Sequence, residues 1–366
     1  MEKRNIFKWF IEVFCVMWVW QTFCVKWVWQ TFCVKWIWKG FCIGCIWRFI
    51  KYAKHTFPKW KAWIYLSPAL VLLLIFTGWP IVNTVRIAFL NGYGAMSEIG
   101  GERFSFGIQN FVSVIQYHAF LTCLKNTVLL CVLTVPISTF LALLIAVCLN
   151  SIKFLQRFLQ TIFFLPYVTN SIAIGMVFAA MFNVVGNFYE GRPPMIVTPG
   201  VVNNVIQFFG GDIVNWMNAG SKYWANMAVM VVYIVWNALP FKILVLLGGL
   251  QGINKQYYDA AKVDGTSRIR TFGRITVPLL SPMLAYVIIT GFIGGFKEYS
   301  SIVGVFGEQM GPAGAAGRLN PMVGYIYEAI EKNAEGPASA AALILFGIIL
   351  VVTMINLWVS KKKVHY

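Results

Sequence analysis

Six stretches of about twenty or more mainly apolar residues run through this chain, and no other feature constrains its fold as strongly. They occupy residues 63–85, 126–150, 158–182, 223–250, 277–296 and 338–359. A hydrocarbon core about 30 Å thick needs roughly 20 apolar helical residues to cross it. Inside lipid a lone segment can satisfy its backbone polar groups only as a helix. The expected fold class is therefore all-α, a polytopic membrane bundle with six core transmembrane helices. Charged residues make up only 12% of the chain, against about 25% in soluble domains. Pro and Gly inside several stretches are tolerated in membrane helices.

Basic residues set the orientation. With the N-terminus inside, the cytoplasmic flanks hold fifteen Lys and Arg: the run from Arg48 to Lys61, Lys153, Arg157, the group from Lys255 to Arg274, and Lys361 to Lys363. The opposite loops, over about residues 91–122, 183–222 and 297–337, hold six, namely Arg103, Arg192, Lys222, Lys297, Arg318 and Lys332. The positive-inside rule then puts both termini in the cytosol and the chain in the cytoplasmic membrane as a multi-pass protein. The net charge of +17 reflects these anchors. No soluble basic face is present to read nucleic acid. The outer loops, about residues 91–122, 183–222 and 297–337, are long enough to carry function; docking an external protein is one use.

Residues 1–61 form a Trp-, Cys- and Lys-rich extension ahead of a membrane domain at 62–366. Within it a nine-residue unit repeats: FKWFIEVFC, VMWVWQTFC, VKWVWQTFC, VKWIWKGFC. At about 100° per residue, equivalent positions alternate between opposite faces, so no single amphipathic stripe results. Three readings stand side by side: a duplication without a mechanistic role, a segment in the membrane interface where Trp is enriched and Lys snorkels, or an extra crossing helix opposed by Lys26, Lys35 and Lys39. The Trp-studded stretch lacks the small-residue site of a cleaved signal peptide. Cys15, Cys24, Cys33, Cys42 and Cys45 would face a reducing cytosol, which disfavours disulfides. The lone pair Cys42 and Cys45 falls short of the four ligands of a structural zinc site.

Catalytic equipment is missing from the sequence. No GxxxxGK[ST] loop is present to cradle phosphates. His55, His118 and His365 are scattered, and no nucleophile triad or metal-ligand cluster is visible, so no metal and no catalytic residue is expected. Apart from Lys242 the core stretches hold almost no ionisable residues, which counts against an ion-coupled secondary transporter.

The segment between the fourth and fifth stretches reads GLQGINKQYYDAAKVDGTSRIRTFGRITVPLLSP. Residues 255–262 are helix-compatible. Gly265 is placed to end that helix, since glycine readily takes the left-handed conformation past a C-terminus. Residues 267–275 would form a second short helix leading to Pro278, which suits a first turn. A helix, turn and helix tied to membrane helices at both ends can transmit a push from a cytosolic partner, or simply be a structured basic loop.

Within it, YDAAKVDGTSRIRTFGRITVPLLSP resembles the signature loop of binding-protein-dependent ABC importer permeases. That pattern is Glu-Ala-Ala, then Asp-Gly, then Ile-x-Leu-Pro and a further Pro. Ala260, Ala261, Asp264, Gly265, Phe272, Ile275, Pro278 and Pro282 fit; Asp259 replaces the usual Glu and Val277 the usual Leu. The likeness extends over about residues 60–366 through WIYLSPALVLLLIFTGWPI, KNTVLLCVLTVPIS, RFLQTIFFLPYVTNSIAIGMVFAAMF and ALPFKILVLLGGLQGI. The chain is similar to the sugar-type branch, including the maltose-importer subunit with extra N-terminal sequence. The repeat has no counterpart there.

The resemblance implies a coupling loop at about 251–276, with Asp259, Ala260, Ala261, Asp264, Gly265 and Pro278 as coupling residues that carry ATPase closure into the membrane helices. It implies four partner subunits: a second homologous permease, a cytosolic ATPase dimer that binds the ATP and Mg, and an extracytoplasmic solute-binding protein. Membrane lipid surrounds the chain, which itself would bind no cofactor. For the substrate path the candidates are Asn170, Trp236, Asn237 and Lys242, with Ser171 beside them, because polar groups inside a membrane are costly; the same groups can instead bond between helices. Lys242 can snorkel towards the cytosol; a lysine in the path would instead suit an anionic solute such as a sugar phosphate. Glu298 and Tyr299 are candidates for an outer gate.

Overall fold

The structure, a computed structural model, describes residues 60–94, 104–152, 156–187 and 195–363. The nonapeptide repeat and the pair Cys42 and Cys45 lie outside the described residues.

The chain divides into a compact unit ending at Val82 and a second from Asn83 onward. The first membrane helix begins in the former as α1 (Trp60–Leu73) and continues as α2 (Trp79–Ala88). A π-helical turn, Leu74–Gly78, joins them, with the Trp79 N–H bonding to the Leu74 carbonyl. The wide turn sits just before Pro80, whose ring and missing N–H disturb a regular α-helix.

In the second unit, α3 (Gln109–Gln116) precedes α4 (His118–Ser151), a helix of 34 residues. At 1.5 Å per residue it is about 50 Å long. It starts eight residues before the apolar stretch predicted at 126, with Tyr117 extended at its N-terminus. The third stretch departs from a single predicted helix over 158–182. It is broken into α5 (Gln156–Val168) and α6 (Ser171–Phe182), which meet at 99°. The Thr169 hydroxyl bonds back to the Leu165 and Pro166 carbonyls, and the Asn170 Oδ1 accepts the Ile172 N–H at 2.8 Å. Asn170 is thus an N-cap, a role for which its short carbonyl side chain is suited.

A two-stranded antiparallel hairpin, β1 (Val184–Asn187) with β2 (Met195–Pro199), leads to α7 (Val201–Phe208). The fourth span is α8 (Tyr223–Gln251). Then come α9 (Lys255–Val263) and α10 (Arg268–Thr271). A second π turn, Phe272–Thr276, runs straight into α11 (Val277–Phe296). The second short helix predicted at 267–275 is therefore the first part of one 29-residue span, Arg268–Phe296. The reason repeats that at Pro80: the π turn lets the helix pass Pro278 without breaking. Short helices α12 (Ser300–Phe306) and α13 (Met322–Glu331) precede the last span, α14 (Glu335–Lys363).

Helix α4 packs along α8 and against α11, α11 also packs on α14, and α6 lies on α12. Lipid tails are as apolar as leucine, so close approach through small residues carries much of this association. A Cβ on Gly175 of α6 would fall 2.7 Å from the Gly304 backbone of α12, and one on Gly295 would fall 2.8 Å from Cys131 Sγ. Large side chains such as Phe140, Leu165, Met176, Phe346 and Trp358 remain exposed on the spans, as a surface facing hydrocarbon or another subunit requires.

Candidate functional site

Two regions answer to the candidate residues. The first follows α8. Asn254 caps α9, its Oδ1 accepting the Gln256 N–H at 3.0 Å. At the other end the Gly265 N–H bonds to the Lys262 carbonyl at 3.1 Å and the Thr266 N–H to the Ala261 carbonyl at 2.9 Å. Gly265 has φ +65. This is the Schellman pair, which requires a left-handed residue. Ala261 is buried, and the Tyr258 hydroxyl lies 3.2 Å from Thr276 Oγ1 at the root of α11. One face of α9 is thereby tied to the membrane span. The other presents Asp259, Ala260 and Val263 to solvent with Tyr257, and Asp264 just past its end and Ile269 on α10 are exposed beside them; Val263 and Ile269 are 88% and 85% exposed. Exposed apolar groups rimmed by charge mark interaction surfaces. Asp259 pairs with Lys262 at 3.2 Å, both well exposed; such pairs are worth little, so the carboxylate stays available to a partner. Pro278 lies in the first turn of α11.

The second region is a cavity of about 320 Å³ between α4, α5, α8 and α11. Asn237 and Lys242 both line it, with Thr134, Ser138, Tyr167, Phe241, Thr290 and Glu298. Tyr167 and Phe241 stack at 6.1 Å and form an aromatic wall. Lys242, 4% exposed, donates to Ser138 Oγ at 2.6 Å, Thr139 Oγ1 at 3.0 Å and the Val135 carbonyl at 3.3 Å. An ammonium has three N–H donors, and α4 accepts all of them. Asn237 Nδ2 reaches Ser171 Oγ at 3.4 Å. Ser171 is also bonded by the hydroxyl of Tyr233, a side chain with no exposure, through both its Oγ and its carbonyl. Tyr233 thus ties the start of α6 to α8.

The remaining two candidates sit elsewhere. Asn170 caps α6, and Trp236 packs on Phe178 with ring centroids 5.1 Å apart. Sequence reasoning missed Tyr167, Thr290 and Tyr233. The signal for Tyr167 was slight, an aromatic next to Pro166 inside an apolar run. Glu298 lines the cavity and accepts the Ser301 N–H at 3.2 Å; Tyr299 lines a separate cleft. Among the described residues no three His, Cys, Asp or Glu side chains group as metal ligands.

Residues 136–365 match the family described as the binding-protein-dependent transport system inner membrane component. The chain belongs to this family. It is a multi-pass permease component of a membrane transport system, and such components transport rather than catalyse. The arabinooligosaccharides transport system permease protein AraP of Halalkalibacterium halodurans is 30% identical over 303 residues, covering 81% of this chain and 87% of the relative. The lactose transport system permease protein LacF of Rhizobium radiobacter is 28% identical, covering 80% of this chain and 91% of the relative. A crystal structure of a bacterial ABC transporter that imports the acidic polysaccharide alginate superposes with a TM-score of 0.66 at 21% identity, over 87% of this chain and 98% of that one. At that identity the likeness shows the fold.

Proposed function

We propose that this permease is one half of the pathway of an ATP-driven importer that carries a sugar or oligosaccharide. The other half is a second homologous permease; a cytosolic ATPase dimer binds the ATP and Mg, and an extracytoplasmic binding protein delivers the solute. Both termini and α9 face the cytosol in this reading, as the distribution of Lys and Arg supports.

The observation that carries the reading is the construction of α9. It is capped at both ends, tied to α11 by Tyr258 and Thr276, and exposed along Tyr257, Asp259, Ala260 and Val263. A rigid, exposed helix joined to a membrane span is what a cytosolic motor needs to move that span. Asp259 would meet a basic or amide group of the ATPase, Ala260 would allow close approach, and Asp264 and Gly265 would hold the turn. Solute would pass through the cavity beside Asn237, Tyr167 and Thr290, which offer hydrogen bonds and an aromatic face. Asn170 and Trp236 would support this path from the α6 side. Lys242 has all three of its donors taken by α4 and so offers a passing solute no free hydrogen bond.

The test is purification of the tagged chain from its native membrane in mild detergent, with mass spectrometry of what accompanies it. An ATPase and a second permease are expected. Recovery of neither, while a control importer stays assembled, would refute the reading.

A further inference from the structure

A second cavity, about 440 Å³, lies in the segment joining α11 to α14, at the end of α11 opposite to α9. Ligand pockets usually measure about 300–1,000 Å³. Tyr299 and Tyr327 line it with ring centroids 4.8 Å apart, and Glu308, Gln309, Glu328 and Glu331 surround them. Glu328 is engaged by Lys332 Nζ at 2.6 Å and Asn320 Nδ2 at 3.2 Å. Glu308 and Glu331 have no hydrogen bond or ion pair among the described residues. Asn320, only 7% exposed, also lines the cleft, and its Oδ1 is buried without a hydrogen-bond partner. That oxygen keeps its place because residue 324 is glycine: a Cβ there would fall 2.0 Å from it.

Carboxylates and amide oxygens are acceptors only. The cleft therefore wants a ligand rich in donors. A metal ion is disfavoured, since the carboxylates do not converge as a ligand set among the described residues. Burial raises the pKa of the Tyr299 hydroxyl, and Tyr327, Glu331 and Glu308 raise it further, so the phenol keeps its proton. Two aromatic faces with carboxylates at their edges match a pyranose or furanose ring, which has an apolar C–H face and a rim of hydroxyl donors. An acidic sugar would meet like charges.

We propose that this cleft is a saccharide subsite that takes one neutral, hydroxyl-rich sugar unit ahead of the membrane cavity. The inference rests on the sugar-import reading. Glu298 lines the membrane cavity and Tyr299 lines the cleft. Consecutive Cα atoms lie about 3.8 Å apart, so an oligosaccharide can place successive units on either side of that peptide bond.

The test is saturation-transfer NMR on the full chain in lipid nanodiscs, with arabinotriose, lactose and maltotriose at millimolar concentration and trigalacturonate as the acidic counterpart. Variants are Tyr327→Ala, Glu331→Gln and, in the membrane cavity, Asn237→Leu. Residues 327 and 331 are exposed, so the fold is not at stake in the first two. At least one neutral sugar should bind, at least fivefold more weakly in Tyr327→Ala and Glu331→Gln, and trigalacturonate should not compete. Binding that survives both cleft substitutions but is lost in Asn237→Leu would overturn the cleft and leave sugar import standing. Equal binding of trigalacturonate would overturn its neutrality. No binding by any sugar would overturn the cleft together with the sugar reading.

Discussion

Gly265 is the position at which the coupling reading is most exposed to refutation. Its φ of +65 is closed to most L-residues, yet a Cβ built on it meets nothing within 4 Å. Substitution there changes backbone energetics and little else. Alanine in the left-handed region costs about 1–2 kcal/mol, and about 1.4 kcal/mol is a tenfold shift in population. Asparagine tolerates that region better. Proline locks φ near −65° and removes the N–H that reaches the Lys262 carbonyl at 3.1 Å, a loss of about 3 kcal/mol or more. If docking requires the capped form of α9, apparent affinity for the ATPase falls with the capped fraction. Uptake of labelled sugar in reconstituted vesicles should then fall least for Gly265→Asn, by up to about thirtyfold for Gly265→Ala, and to background for Gly265→Pro. Membrane levels of all three should match the wild type. Wild-type uptake by Gly265→Pro, or equal losses for Asn and Ala, would refute the reasoning.

Other substitutions probe the remaining joints. Tyr258→Phe deletes the hydroxyl contact with Thr276, worth about 1 kcal/mol; ATP hydrolysis by the complex should persist while uptake per ATP falls. Gly175→Val drives a side chain into the Gly304 backbone and should lower the thermal midpoint by several degrees in detergent; an unchanged midpoint would deny the contact. Lys242→Met should keep both fold and neutral-sugar uptake, because Ser138 and Thr139 still donate to the Thr134 and Val135 carbonyls. Lost uptake with an intact fold would put the ammonium into solute recognition. Removing residues 8–39 tests the reading of the repeat as a duplication without a role: assembly and uptake should be retained, and failed assembly would reject that reading.

Much of this protein was legible in one dimension. Hydropathy marked the five helices long and apolar enough to cross and the bent pair α5 and α6, because crossing about 30 Å of hydrocarbon demands length and apolarity whatever the neighbours are. The stretch predicted over 223–250 is helix α8 to within a residue. Helix α9 and its glycine stop were also visible, because caps and left-handed turns are local chemistry: the Gln256 N–H that Asn254 satisfies and the Lys262 carbonyl that Gly265 satisfies lie within a few residues of them. Neither π turn was foreseen, although each stands just before a proline, since Pro at a first turn suggests a clean start as readily as a widened one.

The broken third span and the membrane cavity were settled by partners far along the chain. Residues 158–182 are apolar throughout, and hydropathy does not distinguish a straight helix from a bent pair. The bend is held by Tyr233, 62 residues from Ser171, and by Gly304, whose bare backbone gives α6 a surface to lie on. Lys242 reads in sequence as a cation that either snorkels to the cytosol or lines the path. In the fold, three oxygens more than 100 residues away take its three donors. Length, apolarity and caps are properties of a segment and survive in any context, whereas which donors remain free and where a helix turns depend on what packs against it, and only the tertiary structure decides that.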